Sequence, residues 1–81
     1  MEKVIGFVIR SPAVYTGPRT EPFNYAYLKL NGELAMGGVY SRAHVYPTMA
    51  EAIKDMHKLR EQGYKAASVY ERTIKEFCVA G

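Results

Sequence analysis

The chain of 81 residues has one cysteine, Cys78, one aspartate, Asp55, and no tryptophan. A lone cysteine excludes an intramolecular disulfide framework and a zinc site built on thiolates, and it fits a reducing, cytoplasmic setting. No apolar run approaches the ~20 residues that span a bilayer. The opening MEKVIGFVIR lacks the long apolar core and small-residue cleavage site of a secretory signal. A cytoplasmic protein with no membrane partner is therefore expected.

Catalytic chemistry is equally scarce. Asp55 falls among Lys54 and Lys58 in a helical stretch and is expected on a solvated face. His44 and His57 have no metal-ligand spacing, and His57 has Glu61 one helical turn on. Cys78, between Phe77 and Val79, reads as a small buried hydrophobe rather than a nucleophile. Gly37-Gly38 lacks the following helix and lysine of a phosphate-binding loop. The expectation is a protein that is not an enzyme, with no catalytic residue, no metal and no cofactor.

What remains is an ordinary globular composition. Hydrophobic residues make up 48% and charged residues 23%, enough apolar surface to offset chain entropy. The length fits one domain, 1–81. Eleven Lys and Arg against eight Asp and Glu give 11 − 8 = +3. These cations are scattered along the chain rather than clustered in the stripe of a dedicated duplex-DNA binder. Tyrosine is the excess: seven, against three phenylalanines. Tyr covers apolar surface while keeping a polar tip, which serves equally at binding faces and as half-buried filler.

The patterning predicts an α+β fold: an antiparallel sheet, a three-stranded meander plus a fourth strand, with one amphipathic helix packed on one face. Lys3–Arg10 is almost continuously apolar and β-branched, as for a central strand covered on both faces, between the second and fourth strands. Gly6 inside it marks a bulge or a close backbone approach. Ser11–Phe23 carries three prolines and a glycine and reads as a stiffened surface loop.

Asn24–Leu30, Asn31-Gly32 and Glu33–Tyr40 form a hairpin signature. A two-residue type I′ turn would pair Leu30 with Glu33, Leu28 with Ala35 and Tyr27 with Met36. One face then carries Ala26, Leu28, Leu30, Ala35 and Val39, to be covered by the helix. The other carries Tyr25, Tyr27, Lys29, Leu34, Met36 and Tyr40.

Thr48 and Glu51 make a capping box. Met49, Ala52, Ile53, Met56 and Leu59 recur at helical spacing, and Gly63 supplies a left-handed stop. The helix is thus predicted over Thr48–Gln62, with Lys54, Asp55, Lys58 and Glu61 on its solvated side. Tyr64–Arg72 returns as a strand. Thr73–Ala80 extends it, forms a fifth strand, or docks on a partner.

The candidate binding residues are those of the aromatic hairpin face and its basic surroundings: Tyr25, Tyr27, Lys29, Met36, Tyr40 and Arg42, with Tyr15 and Arg19 on the proline-rich loop. Tyr, Met and Arg are enriched at protein interfaces, which favours a host protein partner or a homodimer. Tyrosines beside cations also stack bases, which keeps a nucleotide or nucleic acid open as the alternative ligand.

Ala43–Ala52 reads A-H-V-Y-P-T-M-A-E-A. This spacing, after a hairpin and before a short helix, resembles that of small β-β-β-α-β accessory proteins of bacteriophages and mobile elements. The resemblance implies a non-catalytic binding or inhibitory protein that blocks a host defence factor in the host cytoplasm. It carries over no catalytic residue.

Overall fold

The computed structural model describes residues 4–12, 23–29, 31–38, 40–73 and 75–81. Five strands, β1 (Gly6–Pro12), β2 (Phe23–Leu28), β3 (Leu34–Gly37), β4 (Ser68–Arg72) and β5 (Glu76–Ala80), and one helix, α1 (Met49–Glu61), are joined by a short 3-10 turn at Tyr40–Arg42. The strands form one antiparallel sheet in the order β3-β2-β1-β4-β5. The predicted α+β class stands, with five strands in place of four. Of the three readings of Thr73–Ala80, the fifth strand is the one observed.

β1 is central, between β2 and β4. Its odd positions face α1: Ile9 is fully buried with Ala26, Tyr46, Ala52, Met56, Leu59, Ala67 and Val69, and Phe7 packs against that cluster. Its even positions face the other way, and Val8 there is fully buried as well. A strand covered on both faces has no polar side to show, which is why its sequence runs apolar without alternation.

Among the described residues β1 meets β2 over Arg10–Pro12, opposite Tyr25–Phe23. Below that point the segment from His44 to Tyr46 fills the gap. Phe7 and Tyr46 exchange backbone hydrogen bonds at 2.9 and 2.7 Å, and His44 N–H donates to the Ala26 carbonyl at 2.9 Å. Gly6 permits this approach: a Cβ there would lie 2.4 Å from Val45 Cγ1 and 2.8 Å from the Tyr46 carbonyl oxygen. Close approach, one of the two expectations for Gly6, is what the structure holds.

α1 starts where the capping box places it. The Thr48 side chain accepts from Glu51 N–H at 3.3 Å, and its hydroxyl donates to the Glu51 carboxylate at 3.2 Å. The helix ends at Gln62, before Gly63 at φ +114°. Ala52, Met56 and Leu59 enter the core, whereas Met49, expected in the apolar stripe, is 41% exposed. Arg60 clamps the loop into β4, its Nε and Nη2 donating to the Ala67 carbonyl at 3.0 and 2.8 Å. Turn residues occupy the start of the predicted Tyr64–Arg72 strand, so β4 begins only at Ser68.

The hairpin register differs from the predicted one by a residue. Lys29 N–H donates to the Glu33 carbonyl at 2.8 Å, and Gly32 N–H to the Lys29 carbonyl at 2.9 Å. Gly32 has φ +79°, while no described non-glycine residue has positive φ, so Asn31 cannot serve a type I′ turn. Three residues, not two, separate the closing pair. Tyr27 therefore pairs with Ala35, Ala26 with Met36 and Leu28 with Leu34. A one-residue slip exchanges the faces of a strand. Leu34 and Met36 pack on the α1 side, and the helix lies over β1 and β4 rather than over a Leu28/Leu30 face. Leu28 is 38% exposed, while Leu30 and Val39 fall outside the described residues.

Candidate functional site

The face of the sheet turned away from α1 carries an ionic cluster. Register places Arg10 opposite Tyr25 on β2 and Ser68 on β4, Val8 opposite Tyr70, and Arg72 opposite Glu76. Glu76 Oε1 accepts from Arg72 Nε at 2.8 Å and lies 2.7 Å from Nη2. Its Oε2 accepts from the Tyr25 hydroxyl at 3.2 Å and lies 3.0 Å from Arg10 Nη1. The Arg10 guanidinium sits 3.7 Å over the Phe23 ring centroid and 4.2 Å over that of Tyr70, within cation–π range. Burial, and then the Glu76 charge, raise the Tyr25 pKa above its ordinary value.

Both Glu76 oxygens are engaged, and its side chain is only 6% exposed. Tyr25, 7% exposed, is committed to this cluster rather than offered to a partner. The expected continuous face of Tyr25, Tyr27, Met36 and Tyr40 is therefore not present as such. Tyr25 is buried, and Met36 lies on the opposite side of the sheet from Tyr25 and Tyr27. The Tyr40 side chain, Tyr15 and Arg19 lie outside what the structure describes.

The structure does bring Tyr27, Lys29 and Arg42 together. They line an open groove of about 840 Å³ with Leu28, Asn31, Ala43, His44 and Val45. That volume lies within the range of small-ligand sites. One wall is the end of β2 and the hairpin turn, where Asn31 Oδ1 accepts from Glu33 N–H at 3.2 Å and leaves its amide nitrogen as a donor. The other wall is the segment after the 3-10 turn, held to β2 by the His44–Ala26 backbone bond. The His44 ring meets Tyr46 edge-on at 4.5 Å.

Tyr27 is positioned by a glycine. A Cβ on Gly37 would stand 2.7 Å from Tyr27 Cε1, so the bare backbone of β3 gives the ring its space. Among the described lining residues the ionisable groups are Lys29, Arg42, His44 and Tyr27, with no carboxylate. The chemistry on offer is cationic and hydrogen-bond-donating, beside one aromatic surface.

A second polar pair lies behind the groove. Tyr46, 4% exposed, donates its hydroxyl to Asp55 Oδ2 at 2.7 Å, and Lys58 Nζ is 3.7 Å from Oδ1. Asp55 was expected on the solvated side of the helix, but its side chain is 17% exposed and serves a buried phenol. Desolvation, with the Asp55 hydrogen bond and charge, raises the Tyr46 pKa far above its ordinary value of 10. His57 is exposed, and Cys78, expected buried, is exposed too.

Sequence reasoning found one wall of the groove in Tyr27 and Lys29, and Arg42 from the other. It missed Leu28, Asn31, Ala43, His44 and Val45: Leu28 was placed on the core face, Asn31 in the turn, and Ala43–Val45 were read only within the Ala43–Ala52 spacing. Among the described residues no group of three or more His, Cys, Asp or Glu is arranged to hold a metal ion. No described helix is long and apolar enough to cross a membrane. Comparison with protein-family models, curated proteins and solved structures finds no match to this chain.

Proposed function

We propose that this is a non-catalytic binding protein whose groove takes an anionic ligand with a planar ring, a nucleotide or a stretch of single-stranded nucleic acid. The observation that carries the reading is the groove lining: Tyr27, Lys29, Arg42, His44 and Asn31 converge with no described carboxylate among them. Cations and amide donors suit phosphate, and an aromatic side chain beside them suits a base. Fluorescence anisotropy with labelled oligo-dT and a calorimetric nucleotide series is the test. Binding that weakens with salt, and falls at least tenfold in Lys29→Ala, Arg42→Ala and Tyr27→Ala, is the expected result. No binding by either method at low salt would refute it.

The second reading keeps the groove and changes the ligand. An inhibitory protein of the phage or mobile-element kind would seat an acidic segment of a host protein there. Leu28 favours it, because a leucine 38% exposed on the groove lining serves an apolar side chain better than a phosphate. An acidic peptide bearing leucines, competing with oligo-dT and losing affinity in Leu28→Ser, separates the two.

A further inference from the structure

The hairpin fixes which way each main-chain group of β2 points. Lys29 N–H donates to the Glu33 carbonyl at 2.8 Å, and the Lys29 carbonyl accepts from Gly32 N–H at 2.9 Å. Lys29 thus commits both of its main-chain groups to the β3 side. In an antiparallel ladder the next residue is a non-hydrogen-bonded position, with its N–H and C=O turned outward from the pair. That residue is Leu28, opposite Leu34. Ala26 shares its parity, and the Ala26 carbonyl does face away from β3, accepting from His44 N–H at 2.9 Å. On that side lies the groove, which Leu28 lines with Ala43 and His44. Among the described residues no backbone hydrogen bond outside the strand ladders reaches Leu28. Its N–H and C=O therefore enter the groove side by side, a donor next to an acceptor.

We propose that the Leu28 main chain reads the Watson–Crick edge of an unpaired nucleobase. The inference rests on the nucleotide reading of this groove and adds what the groove selects. A base edge carries an acceptor beside a donor, as in adenine, whose ring nitrogen accepts and whose amino group donates. Leu28 offers the complement. A peptide strand laid along β2 would bond at alternate residues, Leu28 and then Ala26, but His44 already holds the Ala26 carbonyl. Among the described residues a single donor–acceptor pair is open, which fits the edge of a base and stops a strand. Lys29 and Arg42, on the same lining, receive the phosphate. A base held in a duplex has this edge occupied, so the groove takes free nucleotides and single strands and leaves duplexes.

Amide NMR of the isotope-labelled protein tests it. Adenosine monophosphate is expected to shift the Leu28 amide downfield. Its affinity should exceed by about tenfold or more those of purine riboside monophosphate, which lacks the amino donor, and of ribose phosphate, which lacks the base. Leu28→Pro removes the N–H at a position that carries no ladder bond, where a strand tolerates proline. It should weaken adenosine monophosphate about tenfold and leave ribose phosphate unchanged, whereas Leu28→Ala, which keeps the N–H, should retain binding. Should the proline variant unfold, the wild-type titration decides. A single strand should displace the nucleotide, and the same strand annealed to its complement should not. If nucleotides bind and depend on Tyr27 and Arg42, yet the amino-free analogue binds equally well and the Leu28 amide does not move, the edge recognition is overturned while the function of the groove stands. No nucleotide binding at all overturns both. An acidic peptide that moves the Leu28 amide where nucleotides do not overturns the base as the occupant.

Discussion

Replacing Glu76 with alanine is expected to be the most damaging single change on the face away from the helix. The carboxylate stands between two arginines, and the side chains of Arg10, Arg72 and Glu76 are 13%, 9% and 6% exposed. Its loss removes the carboxylate that the two buried guanidinium groups share and that accepts from the Tyr25 hydroxyl. Removing one partner from a buried pair costs about 3–5 kcal/mol. A domain of this length has a total stability of roughly 4–12 kcal/mol, so Glu76→Ala should consume a large part of it. Arg10→Met should cost less, about 1–3 kcal/mol. Glu76 keeps Arg72 at 2.8 Å, the remaining pair is neutral, and the methionine stem retains much of the contact with Phe23 and Tyr70. Urea denaturation followed by circular dichroism gives both values, and the double variant gives the coupling between them. A cost below ~1 kcal/mol for Glu76→Ala, or a larger cost for Arg10→Met, would refute the view that the carboxylate organises this face.

Three further outcomes are expected. Gly6→Ala forces a methyl to within 2.4 Å of Val45 Cγ1 at φ +156°, and should lower stability by about 1–3 kcal/mol in a urea melt. Thr48→Ala removes the acceptor for Glu51 N–H and should cost about 1 kcal/mol, with the fraying confined to the first turn of α1 in amide exchange. Tyr46 has a folded pKa above its unfolded value, so above pH 10 the unfolded chain releases a proton that the folded chain keeps. Stability should therefore fall as pH rises beyond 10, and Tyr46→Phe should flatten that fall while costing stability at neutral pH through the lost Asp55 bond. An identical alkaline slope in both proteins would show that Tyr46 does not carry it.

The helix was legible because its signals are local: Thr48 with Glu51 at one end, Gly63 at the other, and a stripe between. β1 was legible because only a strand buried on both faces has reason to be apolar without alternation. The hairpin was visible as an element but not in its register. Asn-Gly serves a two-residue turn, and equally a three-residue one in which Gly32 takes positive φ and Asn31 does not. That one residue decides whether Met36 lies beside Tyr27 or behind it. The ionic cluster was not legible because its members come from β1, β2, β4 and β5, and no spacing relates Arg10 to Glu76. Asp55 was misjudged for a similar reason. Its lysine neighbours describe the helix surface, whereas Tyr46 reaches it from the segment that fills the gap between β1 and β2.

The central place of β1 has a consequence for how the chain is made. Gly6 pairs with Arg72, a separation of 72 − 6 = 66 residues, so β1 is completed by a strand synthesised well after it. At ribosomal rates of about 5–20 residues per second, β1 waits roughly 3–13 seconds after emerging before β4 can join it. For that interval the β1 stretch Phe7, Val8 and Ile9, all of it later sealed or partly covered, stands without its neighbour, and the β1–β2–β3 hairpin lacks the helix that caps its inner side. Pausing synthesis between α1 and β4 should therefore yield nascent chains that bind a holdase chaperone, and release past Arg72 should end that binding.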